Sequence, residues 1–178
     1  PIAIAPSSMS ARQTVIILDY GSQTTQLIAR RIREQHVYCE IHPCTVACGP
    51  GALDRVRALN PAALILSGGP SSVYDDGAPT IDTAVLSLGV PVLGICYGMQ
   101  LLAHVLGGRV ERAAQREYGS AKLTIGTNEG IFHRLSVGEK LDVWMSHGDH
   151  IVELPTGFHV LGTSQNSPLC AAANTQRR

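Results

Sequence analysis

The stretch Val90-Pro91-Val92-Leu93-Gly94-Ile95-Cys96-Tyr97-Gly98-Met99-Gln100-Leu101-Leu102-Ala103 leaves this chain few ways to fold. An apolar run of buried-strand length stops at a cysteine, glycines bracket that cysteine at alternate positions, and helical periodicity begins at once. The pattern predicts a strand, a tight turn and a helix. So abrupt a turn tends to force its central residue into an unfavourable backbone conformation, and Gly94 and Gly98 lack the Cβ atoms that would block close approach of neighbouring backbone. Cys96 is then presented at the carboxyl end of the strand. It also lies at a helix N-terminus, where unpaired N–H groups and the helix dipole favour thiolate over thiol. Two readings of such a cysteine stand side by side: a nucleophile, which the glycine bracket favours, or a small buried hydrophobe.

The rest of the N-terminal half repeats the alternation. Thr14 to Leu18 is a β-branched apolar run that ends at Asp19-Tyr20-Gly21-Ser22-Gln23, after which Leu27, Ile28 and Ile32 recur at helical spacing. Val37 to Ile41 alternates like a strand, and Leu53, Val56 and Leu59 mark a short helix after Pro50-Gly51. Ala62 to Leu66 is the next strand, closed by Ser67-Gly68-Gly69-Pro70. Ile81, Val85 and Leu88 form a helical stripe ended by Gly89, and Gly107-Gly108 stops the helix that follows Cys96. Strands alternating with helices imply an α/β fold, a three-layer open and mostly parallel sheet with helices on both faces. Loops at the carboxyl ends of its strands carry function in such sheets, so the turns after Leu18, Leu66 and Ile95 are expected to converge on one edge.

After Gly108 the pattern changes to short strand-like runs at Ala121–Ile125, Leu141–Met145, Ile151–Leu154, Phe158–Gly162 and Leu169–Ala173, separated by turns rich in Gly, Asn, Ser and Pro. These predict hairpins and an added mixed or antiparallel region within the same domain. Ser146, His147 and Asp149 are expected in a turn after a strand. There a carboxylate can bind an ammonium and a hydroxyl or amide a carboxylate; a hydrogen-bonded turn residue is an equal reading of His147. His150 is read as structural.

Composition narrows the partners. The 178 residues are one domain's worth of chain, enough to bury about 70% of the unfolded surface. Fourteen basic residues balance fourteen acidic ones with no long like-charge block, which leaves no nucleic-acid or anionic-membrane footprint and points to small molecules or protein surfaces. Five irregularly spaced cysteines suggest a reducing, cytoplasmic setting. Cys39, Cys44 and Cys48 fall near His42 but form no C-x-x-C pair, so they are read as structural rather than as a zinc site, and no metal or cofactor is assigned to the domain. No apolar run reaches membrane-spanning length. Residues 1–12 lack the basic start and apolar core of a signal peptide and are expected to form a loose tail before a domain at 13–178.

Gly94-Ile95-Cys96-Tyr97-Gly98-Met99-Gln100 resembles the G-x-C-x-G-x-Q nucleophile turn of the class I, triad-type glutamine amidotransferases, and Ser67-Gly68-Gly69-Pro70 resembles their oxyanion loop. Leu18-Asp19-Tyr20-Gly21-Ser22-Gln23, Gln26-Leu27-Ile28-Ala29-Arg30-Arg31 and Val143-Trp144-Met145-Ser146-His147-Gly148-Asp149 are similar to the amidotransferase domains of GMP synthetases within that family. The resemblance implies the flavodoxin-like amidotransferase fold. It also implies that Cys96 attacks the glutamine side-chain amide to give a tetrahedral oxyanion, then a thioester and ammonia. The oxyanion donors it implies are the backbone N–H groups of Gly69 and Tyr97; losing one such donor typically costs about 3 kcal/mol. Gln100, Gly68, Ser146, His147 and Asp149 would then bind substrate, although on its sequence position alone Gln100 also reads as an exposed residue of a first helical turn.

In that family the general base is a histidine in a His-Pro-Glu segment, and no such segment occurs in these 178 residues. The chain is therefore expected to stop short of two triad members. Little glutaminase activity is expected from it alone, because proton transfer contributes about a hundredfold or more. The resemblance further implies a partner, an ATP-pyrophosphatase (synthetase) domain or subunit, which would bind ATP, magnesium and xanthosine monophosphate (XMP), and an oligomer at full length. Ser67-Gly68-Gly69 is not itself a phosphate cradle, since Pro70 lacks the N–H such a loop would use. Two other functions are kept: an amidotransferase for another pathway, of the anthranilate or carbamoyl-phosphate type, and a non-catalytic partner-binding module.

Overall fold

A computed structural model describes residues 13–176, without the side chains at 113–118 and 146–147. The tail expected at 1–12 lies outside the described residues. The first half forms a parallel sheet in the order β2-β1-β3-β4, from β1 (Thr14–Asp19), β2 (Tyr38–Pro43), β3 (Pro61–Leu66) and β4 (Val92–Gly94). Three α-helices accompany it: α1 (Thr25–Glu34), α2 (Ala52–Ala58) and α3 (Tyr97–Val105).

Strand alternation decides what each face buries. Ile16, Leu18, Leu64 and Leu66 point to one face, where they pack with Ala52 and Val56 of α2, Val85, and Tyr97 and Leu101 of α3. Ile17, Ile65 and Cys39 point to the other face, beneath Ala29, Ile28 and Ile32 of α1. Both faces are thus covered, which is why β1 and β3 are apolar nearly throughout. Within α1 the sheet-facing stripe is Ile28, Ala29 and Ile32, while Leu27 is exposed, against the expectation that it belongs to the stripe. The helix expected over Ile81–Leu88 is a single 3₁₀ turn at Thr83–Ser87. Asp82 caps that turn by accepting from the Ala84 N–H at 2.9 Å, and the left-handed Gly89 limits its length.

The second half is a separate four-stranded antiparallel sheet, ordered β6-β5-β7-β8. The expected short strands are not all separate. Ala121–Ile125 belongs to a 17-residue strand, β5 (Arg109–Ile125), and Leu141–Met145 and Ile151–Leu154 fall largely within the 14-residue β6 (Lys140–Glu153). β7 (His159–Thr163) and β8 (Ala171–Ala173) complete the sheet. Ser146, His147 and Asp149 therefore sit inside a paired strand and not in a turn, with backbones in register with Tyr118, Glu117 and Arg112. β6 continues as a strand through the Ser-His-Gly segment despite its turn-like composition, with its register against β5 broken between Arg112 and Glu117. A small apolar cluster of Ala103 from α3, Val110 from β5 and Ile151 from β6 joins this sheet to α3. Among the described residues no helix is long and apolar enough to cross a membrane.

Candidate active site

The turn at Cys96 has the geometry its glycines imply. Cys96 has φ 50° and ψ −111°, a left-handed value rare outside glycine, and such a conformation persists only where surrounding structure enforces it, at about 1–3 kcal/mol. The enforcing contacts are visible. A Cβ on Gly94 would lie 2.6 Å from the Gly98 backbone, and one on Gly98 would overlap the Leu66 carbonyl. The Gly98 N–H reaches the carbonyls of Ser67 at 3.1 Å and Ile95 at 3.0 Å, tying the turn to the end of β3.

The three carboxyl-end turns meet. A Cβ at Gly68 would be 3.5 Å from both the Cys96 Cβ and the Ser22 Oγ, and one at Gly69 would be 2.5 Å from the Tyr20 carbonyl oxygen. Glycine is needed at 69 because the β1 turn runs directly against it. Ser67, quoted in the loop motif but given no role of its own, is the buried linchpin: its hydroxyl accepts from the Tyr20 N–H at 3.0 Å and donates to the Gly68 carbonyl at 2.9 Å. Asp19 closes the β1 turn by accepting from the Gly21 N–H at 2.9 Å and the Thr25 hydroxyl at 2.8 Å. The sequence signals for these two were their place at strand ends and their membership of the motifs around Tyr20 and Gly68.

Among the described residues the N–H groups of Gly69 and Tyr97 have no acceptor. For Tyr97 this follows from its place at the first position of α3, where no preceding turn supplies a carbonyl. Two unpaired amides thus belong to the segments that flank a partly buried thiol. The thiol itself departs from the sequence expectation: burial pushes Cys96 above the ordinary thiol range, outweighing the helix N-terminus expected to favour thiolate. Among the described side chains no partner hydrogen-bonds it.

Gln100 is buried, so its reading as an exposed first-turn residue fails. Its Nε2 donates to the Asp149 carbonyl at 2.8 Å, which brings α3 and β6 together. Asp149 is buried too, and its Oδ2 has no hydrogen-bond partner among the described residues; neither has the His150 Nδ1. A buried polar atom without a partner is costly and calls for a ligand or water. The side chains of Ser146 and His147 lie outside the described set. Cys39 is buried beneath α1, while Cys44 and Cys48 are half-buried with burial raising both thiols. Among the described residues no group of three or more His, Cys, Asp or Glu could hold a metal ion.

Residues 16–178 match the family "Glutamine amidotransferase class-I". The chain belongs to that family. The class I amidotransferase chain is 56% identical to the glutamine-hydrolysing GMP synthase of Maridesulfovibrio salexigens over 164 residues, and 52% identical to that of Lactococcus lactis over 165. These matches cover 92% and 93% of this chain but 31% of each relative, so the chain spans about a third of the length of the curated relatives it matches. Among solved structures, a GMP synthase subunit protein from Thermoplasma acidophilum superposes with a TM-score of 0.80 at 26% identity, covering 94% of this chain and 81% of that one. A glutamine amidotransferase from Thermotoga maritima shares the fold, with a TM-score of 0.66 at 20% identity over 92% of this chain and 74% of that one.

Proposed function

We propose that this domain is the glutaminase of a GMP synthase and supplies ammonia to a synthetase domain that aminates XMP with ATP. The observation that carries the reading is the glycine-bracketed, left-handed Cys96 lying against Gly68, with the Gly69 and Tyr97 amides unpaired among the described residues. Cys96 sulfur attacks the glutamine amide carbon, and the two amides take the negative charge that develops on its oxygen. The proton given up by the thiol passes to the amide nitrogen, which leaves as ammonia as the intermediate collapses to a γ-glutamyl thioester on Cys96; water then hydrolyses the thioester to glutamate and returns the thiol. Asp149, buried with a carboxylate oxygen that has no partner among the described residues, binds the substrate ammonium, and Gln100 fixes the backbone that carries it; the resemblance adds Gly68, Ser146 and His147 to the residues that bind the amino-acid end.

Because burial keeps the thiol protonated near neutral pH, attack needs a proton acceptor. No His-Pro-Glu segment is present among the 178 residues, so a polypeptide of these residues alone turns glutamine over poorly. ATP, magnesium and XMP bind to the synthetase part, and the domain works in the cytoplasm. The full-length protein is expected to release glutamate and to couple ammonia to ATP-dependent XMP amination. Cys96→Ala should lower glutamine-dependent turnover by about a thousandfold or more while leaving amination from free ammonia intact. Glutamine-dependent turnover that survives Cys96→Ala contradicts the assignment of the nucleophile. Ammonia transfer to an anthranilate or carbamoyl-phosphate partner instead of to XMP contradicts the pathway.

A further inference from the structure

Three donors from three different segments end on two consecutive carbonyls. The Tyr97 hydroxyl donates to the Pro79 carbonyl, the Tyr20 hydroxyl to the Thr80 carbonyl at 3.4 Å, and the Cys48 thiol to that same Thr80 carbonyl at 2.9 Å. The two rings are buried side by side, their centroids 5.6 Å apart and inclined at 44°. Each tyrosine is also built into one half of the proposed oxyanion site. Tyr97 supplies one amide from its own backbone. The Tyr20 carbonyl is the group against which Gly69 packs, and the Tyr20 N–H is held by Ser67. An oxyanion donor at position 97 needs only a backbone N–H, so that role does not require a phenol there. Burial holds both phenols well above their ordinary range, Tyr97 at about 12, and both remain donors at neutral pH.

We propose that the Pro79–Thr80 backbone is a common anchor that sets the spacing of the two oxyanion amides, with the Tyr97 and Tyr20 hydroxyls as its positioning groups. The inference rests on the assignment of Cys96 as nucleophile and of the Gly69 and Tyr97 amides as donors. Oxyanion donors act over a narrow distance range, so an amide released by a few tenths of an ångström loses much of its effect. Phenylalanine keeps the packed ring and removes only the tether.

The test compares two reagents on Cys96 in the full-length protein. A glutamine-shaped chloroketone adds through its carbonyl and generates an oxyanion, whereas iodoacetamide alkylates by direct displacement and needs none. Tyr97→Phe is expected to lower the ratio of the chloroketone rate to the iodoacetamide rate about fivefold, the value of one net hydrogen bond, and to lower kcat for glutamine with KM unchanged. Tyr20→Phe, with the longer bond, should lower the ratio about twofold. A merely structural role would slow or speed both reagents together. A ratio that stays unchanged in both variants, or two rates that fall in parallel, overturns the anchor. Wild-type protein with no preference for the chloroketone at Cys96 overturns the nucleophile assignment and the anchor with it.

Discussion

The two sheets solve different problems with the same chain. In the parallel sheet both faces are covered, the strands are short, and the carboxyl ends of β1, β3 and β4 break into turns that hold one another: Gly98 packs on the Leu66 backbone, Gly69 on the Tyr20 backbone, and the Tyr20 N–H donates to the Ser67 hydroxyl. In the antiparallel sheet the long β5 and β6 pair over most of their length, β6 forms an edge, and Trp144 on it is 77% exposed. The first arrangement fixes the backbone around Cys96. The second presents surface, and meets the first mainly where Gln100 grips Asp149 and α3 packs against β5 and β6. Strain is stored where packing can enforce it, at Cys96, and Asp149, whose Oδ2 has no partner among the described residues, sits where the two regions meet.

Matched glycine substitutions should separate the regions most sharply. Gly98→Ala drives a Cβ into the Leu66 carbonyl and is expected to cost about 3 kcal/mol or more, read as a drop in the denaturant midpoint. Gly119→Ala on β5 meets nothing within 4 Å and should cost only about 1 kcal/mol, from its φ of +117°. Equal losses would erase the contrast. At the junction, Gln100→Ala removes the buried bond to β6; about 1–3 kcal/mol of stability should go, with a raised KM for glutamine. An unchanged KM would detach Asp149 from substrate binding.

Alkaline pH probes the dry side. Burial raises Cys96, Cys44, Cys48 and Tyr97 in the folded chain, so the unfolded chain releases these protons first. The thiols' contribution is complete below the ordinary thiol pKa of about 8.5 and is lost as pH rises through their raised folded values, whereas the contribution of Tyr97 is lost only above about pH 10. Denaturation midpoints should therefore fall between about pH 8 and pH 10, and a rise over that interval would refute the burial of these groups. Trp144→Ala, on the exposed side, should change stability by no more than about 0.5 kcal/mol.

Legibility in the sequence follows the same division. The strand, turn and helix around Cys96 were readable because their determinants are local: two glycines, a cysteine, an apolar strand and a helix within a dozen or so residues. The alternation of β1, α1, β2, α2 and β3 was readable because each buried face imprints a period on the sequence. The strand through Ser146 to Asp149 was not, because only pairing with β5 overrides its Ser, Gly and Asp content. Nor was the thiol's protonation, since local position advertised a helix N-terminus while burial by distant segments raised the pKa. The role of Gln100 as a bridge between elements likewise depends on a residue 49 positions away.

Rapid acid quench of the full-length protein with glutamine, followed by mapping of acyl groups on its cysteine peptides, tests the central claim most directly. A γ-glutamyl thioester confined to the peptide carrying Cys96 is the expected result. An acyl group on Cys39, Cys44, Cys48 or Cys170, or glutamate release in a protein whose Cys96 never becomes acylated, would contradict it.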